Sequence, residues 1–262
     1  MFHASTCITS VAPSVARILG FAPPKCAGDG NPALDQLAAD AFSGRKADRA
    51  LLYNPDAIAH HLFAHYTDLF LHVLRHAPLA LPMQSVMPSV TPVCFASMYT
   101  GVLPDVHGIQ AYVKPVLTCD TLFDAAIRAG RKPAIVSTCG DSISKIFLDR
   151  PMDYFLYDNA RAEELIREDQ YDLIVIYNGN YDATMHRFSP EAPESLQALR
   201  DNAAAFDRFA RLVKQHWTQH DTLLAFAPDH GCHPIDGGLG SHGLDMPEDM
   251  LIPHFYGAVP RH

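Results

Sequence analysis

"YDLIVIYNGNYDATMH", residues 171–186, sets a short apolar run directly before an aspartate and a histidine four positions apart, Asp182 and His186. The run "YDLIVIY" reads as a strand, rich in β-branched and aromatic residues and bounded by Asn-Gly-Asn. The residues after it have the composition of a polar site. The same order recurs along the chain. "RALLY" (49–53) is a short buried strand that runs into Asn54-Pro55-Asp56, and "LALPMQSV" (79–86) leads to Thr91. "KPAIVST" (132–138) and "YFLY" (154–157) are further strands, and "TLLAFA" (222–227) leads to Asp229 and His230.

Helical patterns lie between these runs. In "AIAHHLFAHYTDLFLHVLRHA" (57–77), Ile58, Leu62, Phe63, Tyr66, Leu69, Phe70, Val73 and Leu74 recur at helical spacing, which predicts one amphipathic helix. "TLFDAAIRAG", with Asp120 before it and Gly130 at its end, "ARAEELIRE", and a long stretch from about 190 to 216 predict three more. Strands alternating with helices imply an α/β domain around a mostly parallel sheet. Residues 1–48, rich in Pro, Gly and Ala, read as an irregular arm packed on the core with a short helix near Asn31–Phe42; residues 49–262 form the main domain.

The chain has 262 residues, 48% of them apolar and 19% charged, which suits one large globular domain. A formal charge of −9 argues against coating duplex nucleic acid, which needs Lys and Arg stripes to displace phosphate counterions. The six cysteines form no C-x-x-C pair and no compact framework, so they are expected to be reduced thiols in a cytoplasmic protein. No run approaches membrane-spanning length, and the start "MFHASTCITSVAPSVARILG" lacks a basic leader with a sustained apolar stretch.

In open α/β sheets the ligand site lies beyond the carboxyl ends of the strands. Four strands here end in Asp56, in Thr91, in Asp182 with His186, and in Asp229 with His230; His242 comes next in "GSHG". Three carboxylates, three imidazoles and a hydroxyl suit two divalent ions, Zn²⁺ first, with Mn²⁺ and Fe²⁺ also accepted by these donors. Two metals about 4 Å apart bind both the attacking and the leaving oxygen of an in-line displacement, which is phosphoryl-transfer chemistry. Thr91 is expected at the N-cap of a helix with Pro92 at its first position and Gly101 after its last turn. There its hydroxyl would meet an environment that favours anions.

The ordered set Asp56, "TPVCFASMYTGVLPDVHGI", "DATMH", "DHG" and "GSHG" followed by "PEDMLIP" resembles the alkaline phosphatase superfamily, in particular its type I phosphodiesterase / nucleotide pyrophosphatase branch, over residues 49–257. In that branch a Thr precedes a helix ending in Thr-Gly, followed by P-x-x-H-G-I; Thr91, Thr100, Gly101, Pro104, His107, Gly108 and Ile109 hold those places.

The resemblance implies a three-layer sandwich with little or no cap domain. It implies one metal held by Asp182, His186 and His242, and a second held by Asp56, Asp229, His230 and the Thr91 oxygen. Thr91 would attack phosphorus to form a phosphothreonine, which water then releases. The substrate would be a small phosphorylated molecule, a diester or nucleotide pyrophosphate ahead of a monoester. Phosphomonoesterase, phosphonate hydrolase and phosphosugar mutase activities stand as alternatives within the superfamily, and a metal-binding relative without turnover as the alternative outside catalysis.

Two departures stand out. Relatives carry an asparagine soon after H-G-I that donates to a phosphoryl oxygen, whereas this chain reads "QAYVK", placing Tyr112 there with Lys114 as a candidate substitute. The family has Asp-Gly after its first strand, and this chain has Asp56-Ala57. The alternating core elements use most of the interval from Lys114 to Asp182, so the substrate pocket is expected to be simple, or completed by the arm or by another subunit.

The remaining histidines have blander readings. The resemblance favours His242 over His233 as the last ligand, because in the family context a glycine follows that histidine. The pairs His61/His65 and His216/His220 have zinc-binding spacing but no strand-end carboxylate, so solvated helix faces are expected. His107 is expected to order its loop, and Cys94 to be a buried thiol.

Overall fold

The computed structural model describes residues 6–262; the first five residues of the arm, and with them the start of the segment read as lacking a leader, lie outside the described residues. A seven-stranded sheet runs through the molecule in the order β2-β9-β6-β1-β5-β3-β4. Its strands are β1 (Arg49–Pro55), β2 (Leu79–Gln84), β3 (Pro133–Ser137), β4 (Asp153–Leu156), β5 (Leu173–Asn178), β6 (Thr222–Phe226) and β9 (Leu251–Val259). A separate hairpin is formed by β7 (His233–Ile235) and β8 (Leu239–Ser241). β4, β3, β5, β1 and β6 pair in parallel, while β9 lies antiparallel between β6 and β2. β2 therefore runs in the same sense as β1, β5 and β6. The ends of these four strands deliver the polar turns to one edge of the sheet.

Both faces of the central strands are covered, which explains their near-continuous apolar sequence. Successive side chains point to opposite faces: Ala50, Leu52, Leu173, Val175, Leu223 and Ala225 enter one apolar layer, and Leu51, Tyr53, Ile174, Ile176, Leu224 and Phe226 the other. The first layer is covered by helices Val11–Ile18 and Thr91–Thr100. The second is covered by helices Asn159–Glu168 and Pro193–His216 and by residues 60–74.

Two local expectations need correction, and one strand was not foreseen. Residues 57–77 are not one helix: they divide into helix His60–His65, a 3₁₀ turn Thr67–Phe70 and helix Leu71–Leu74. Tyr66 leaves helical geometry at φ −126° and ψ 47°, and the Thr67 hydroxyl donates to the Phe63 carbonyl at 2.8 Å, a local bond that competes with the helix ladder. The apolar stripe survives the break, because Leu62, Leu69, Phe70 and Val73 are buried.

The arm is more regular than its composition suggests. Helix Val11–Ile18 is buried along almost its whole length, and Asn31 caps helix Pro32–Ala41 by accepting from the Ala33 amide at 2.9 Å. Lastly, "LIPHFYGAV" forms the longest strand of the sheet, which its proline and glycine conceal in a periodicity reading. Among the described residues no helix is long and apolar enough to cross a membrane.

Candidate metal centre

Asp56, Thr91, Asp182, His186, Asp229, His230 and His242 converge at the carboxyl edge of the sheet. Two sets of ligand atoms, Asp182/His186/His242 and Asp56/Asp229/His230, each lie within 4.8 Å of one another. In the first set His186 Nε2 is 3.2 Å and His242 Nε2 3.4 Å from the same oxygen of Asp182. In the second, His230 Nε2 is 3.3 Å from Asp56 and 3.4 Å from Asp229. The two sets touch, since the rings of His230 and His242 stack with centroids 4.1 Å apart.

Each ligand side chain is aimed by backbone. Asp182 and His186 lie one turn apart on helix Asn180–Phe188, so both face the same way. His186 Nδ1 is 2.9 Å from the Gly240 carbonyl, His230 Nδ1 2.9 Å from the Gly231 carbonyl, and His242 Nδ1 3.0 Å from the Ser89 carbonyl. A carbonyl only accepts, so each Nδ1 carries the proton and, in the neutral ring, Nε2 presents a lone pair to the cluster.

Gly231 is required by the same crowding: a Cβ there would stand 2.0 Å from the Glu248 carbonyl oxygen and 2.9 Å from the Ala59 Cβ. The position after Asp56 is strained instead. Ala57 has φ +64°, left-handed backbone that favours glycine, and its amide donates to Asp229 at 3.3 Å. Ala57→Gly is expected to raise stability by about 1 kcal/mol with metal content unchanged, measured by denaturant unfolding.

Thr91 is not the N-cap. Val90 takes that place with extended backbone, and the Thr91 side chain makes no capping bond. Its hydroxyl instead lies 3.4 Å from Asp56 Oδ2 and 3.4 Å from His230 Nε2, and Gly101 closes the helix in left-handed geometry at φ +77°. The Gly101 amide closes the helix on the Ser97 carbonyl, and the Thr91 hydroxyl is left for the cluster.

Burial drives the electrostatics. Asp56 is pushed up to about 7 by burial and then by the charge of Asp182, and Asp229 is raised by burial and by Asp56. Burial raises Asp182 as well, but the His186 and His242 imidazoles beside it outweigh this and hold it below the usual carboxylate range. His186 is raised to about 9 by Asp182, whereas His230 is lowered to about 3 by burial and by His242. Asp56 Oδ1, Asp182 Oδ1 and Asp229 Oδ2 are buried without a hydrogen-bond partner. Among the described residues no lysine or arginine pairs with any of the three; their only basic neighbours are the ligand histidines. Orphaned carboxylate oxygens facing imidazole lone pairs form a donor set that fits divalent cations of the zinc class.

Tyr177 is the contributor that sequence reasoning missed. Its hydroxyl donates to Asp56 Oδ2, and burial followed by the Asp56 charge raises its pKa, so it stays a donor. The available signal was its place at the end of β5, on the sheet face covered by the Thr91 helix. Tyr177→Phe is expected to weaken zinc binding by roughly 10- to 100-fold in a competition titration, with the fold retained.

Tyr112 and Lys114 lie apart from the cluster's hydrogen bonds. Tyr112 is 60% exposed, and Lys114 Nζ donates to the Gly140 carbonyl at 3.2 Å and lies 5.3 Å from the Tyr112 ring centre. His233 bonds Asp249 at 2.7 Å rather than joining either ligand set. His107 bridges Ser97 Oγ at 2.9 Å and the Ile109 amide at 3.2 Å, fixing the loop after the Thr91 helix. Cys94 is fully buried.

Residues 135–250 match the family described as type I phosphodiesterase / nucleotide pyrophosphatase, a span holding five of the seven converging residues but neither Asp56 nor Thr91. A segment of 90 residues is 31% identical to human ectonucleotide pyrophosphatase/phosphodiesterase family member 7, covering 34% of this chain and 18% of that protein. Human ectonucleotide pyrophosphatase/phosphodiesterase 5 superposes with a TM-score of 0.63 at 13% identity, over 81% of this chain and 88% of the other. The murine counterpart, in an inactive threonine-to-alanine form in complex with AMP, gives 0.56 at 17% identity, over 72% of this chain and 59% of its own. The chain therefore spans less than two thirds of the human family member 7 and of this murine structure. Residues 135–250 are thus similar to the type I phosphodiesterase / nucleotide pyrophosphatase family, and the chain shares the fold of the ectonucleotide pyrophosphatase/phosphodiesterase structures.

Proposed function

We propose that the chain is a two-metal phosphoester hydrolase that uses Thr91 as nucleophile, with phosphodiesters or nucleotide pyrophosphates as its substrate class. The observation that carries this reading is the Thr91 hydroxyl, 4% exposed, donating to Asp56 Oδ2 at 3.4 Å and lying 3.4 Å from His230 Nε2, both members of the ligand cluster. The AMP complex of the murine relative supports a nucleoside monophosphate as one product or ligand. Asp182, His186 and His242 would hold one ion, and Asp56, Asp229 and His230, joined by the Thr91 oxygen, the other. When bound, such ions neutralise phosphoryl charge and lower the pKa of a neighbouring hydroxyl.

The chain's own residues do the rest. Thr91 passes its hydroxyl proton to water and its oxygen bonds phosphorus, while the ester oxygen leaves with its electron pair and takes up a proton from water, giving a phosphothreonine. Water then breaks the threonine–phosphorus bond and restores the hydroxyl. The amino end of helix Thr91–Thr100, where Thr91 lies, would favour the negative charge on the phosphoryl oxygens. Tyr177 holds Asp56 in place. The test is hydrolysis of bis(4-nitrophenyl) phosphate and 4-nitrophenyl phosphate by purified protein. Faster turnover of the diester, abolished by a chelator and restored by Zn²⁺, is expected; a metal-loaded protein that cleaves neither ester would overturn the proposal.

A further inference from the structure

The loop that leaves β6 carries Asp229 and His230, yet the sheet does not hold it. The ladders that pair β6 with β1 and with β9 both end at Phe226. Residues 227–230 are buried, so their carbonyls need donors from elsewhere. Three side chains supply them to successive residues. The Asn54 amide nitrogen donates to the Ala227 carbonyl at 2.6 Å, His254 Nε2 to the Pro228 carbonyl at 2.7 Å, and the Ser85 hydroxyl to the Asp229 carbonyl at 2.7 Å. Asn54 comes from β1 on one side of β6, while His254 comes from β9 on the other and Ser85 directly follows β2 beyond it.

Each of these donors is held by a second one. The Tyr99 hydroxyl donates to Asn54 Oδ1. Because the Pro228 carbonyl only accepts, His254 carries its proton on Nε2, and its Nδ1 accepts from the Tyr256 hydroxyl at 2.9 Å. Burial lowers the His254 pKa to about 4, so the ring is neutral at pH 7 and keeps that tautomer. The Ser85 hydroxyl gives its only proton to Asp229, which leaves the Cys94 thiol, 3.2 Å away, as the donor to its oxygen. All six side chains belong to buried residues, and Cys94 and Tyr99 lie on helix Thr91–Thr100. Two of the three relays thus tie the helix that carries Thr91 to the loop that carries Asp229 and His230. We propose that Asn54, Ser85 and His254 are positioning residues for the second ligand set, holding the β6 loop where Asp229 and His230 meet Asp56 and the Thr91 hydroxyl, and so setting the affinity for the ion there. The assignment rests on the two-ion reading of the site. The first set is carried by helix Asn180–Phe188 and by the residue after β8, so a fault in the β6 loop should reach only the second.

The test is a titration of metal-stripped, full-length protein with Zn²⁺ in competition with a chromophoric chelator. Wild type is expected to bind two equivalents. Ser85→Ala should weaken one of them about tenfold and leave the other unchanged. The same loss should appear in an Asp182→Asn background, where the second set acts alone, and vanish in an Asp229→Asn background. His254→Gln, whose amide nitrogen can stand in for Nε2, should bind zinc as wild type does, whereas His254→Leu should behave like Ser85→Ala. If His254→Leu does not fold, Ser85→Ala decides, since it removes a single oxygen atom. Both equivalents unchanged in Ser85→Ala, or both weakened together as a general loosening of the fold would give, would overturn the proposal and leave the two-ion reading standing. A folded wild-type protein that binds fewer than two equivalents would overturn that reading and the proposal with it.

Discussion

Thr91→Ala is expected to lose about a thousandfold or more of its diester hydrolysis while retaining its fold and its full metal content. The size of the effect comes from chemistry: without the hydroxyl there is no atom to form the covalent intermediate, and only binding and charge neutralisation remain. The retained fold comes from the structure. The hydroxyl makes no capping bond, and its two neighbours at 3.4 Å belong to the ligand cluster. Its removal therefore leaves no helix end unsatisfied. Thr91→Ser, which keeps a hydroxyl on a less constrained side chain, should recover part of the rate. A Thr91→Ala protein with wild-type turnover would eliminate the nucleophile assignment, whereas a loss of activity with parallel loss of zinc would make Thr91 a ligand first.

The second large effect concerns pH. Metal-stripped protein is expected to lose stability as pH rises from 6.5 to 9, and the stabilisation given by added Zn²⁺ should grow over the same interval. His186 has its pKa raised to about 9, so its contribution is complete below its ordinary 6.5 and disappears as pH rises through about 9. His242 is raised too, since Asp182 outweighs the effect of burial, and acts in the same sense. Asp56, pushed up to about 7, binds a proton in the folded chain that the unfolded chain has already released, so it also loses stability as pH rises, with Asp229 alongside it. Asp182 is depressed, and its contribution is present throughout this interval. Below 6.5 the signs conflict: His107, His230 and His254 are lowered by burial, and their contribution increases with pH there. The interval above 6.5 is therefore the informative one.

Zinc replaces those protons, so its affinity rises as they leave. Thermal melts with and without chelator at pH 6.5 and pH 9 provide the check. A metal-free melting temperature that rises with pH, or a zinc increment that shrinks, would contradict the electrostatic account.

The parallel strands were legible because each is an apolar run closed by turn residues, and the ligands because each run ends in them. "YDLIVIY" before Asp182 is the clearest case. β9 was not legible, because Pro253 and Gly257 interrupt its pattern, and its register with β2 and β6 depends on tertiary pairing. The break at Tyr66 escaped for a related reason. A 3.6-residue pattern survives a short 3₁₀ segment, so periodicity alone does not register the loss of helix. At the site, residue types revealed which side chains gather but not what holds them. Tyr177 belongs to a strand on sequence, and only the fold turns its hydroxyl to Asp56.

The three carbonyls that fix the ligand histidines, those of Ser89, Gly231 and Gly240, bear on how such a site persists through divergence. A side-chain partner can be lost by one substitution, whereas a carbonyl is supplied by any residue that fits the backbone path, glycine alone at 231 and 240, where a Cβ would clash. Selection at those positions therefore acts on backbone shape rather than on side-chain chemistry. The imidazoles can keep their tautomers while most of the surrounding sequence drifts, provided the loops remain where the sheet puts them.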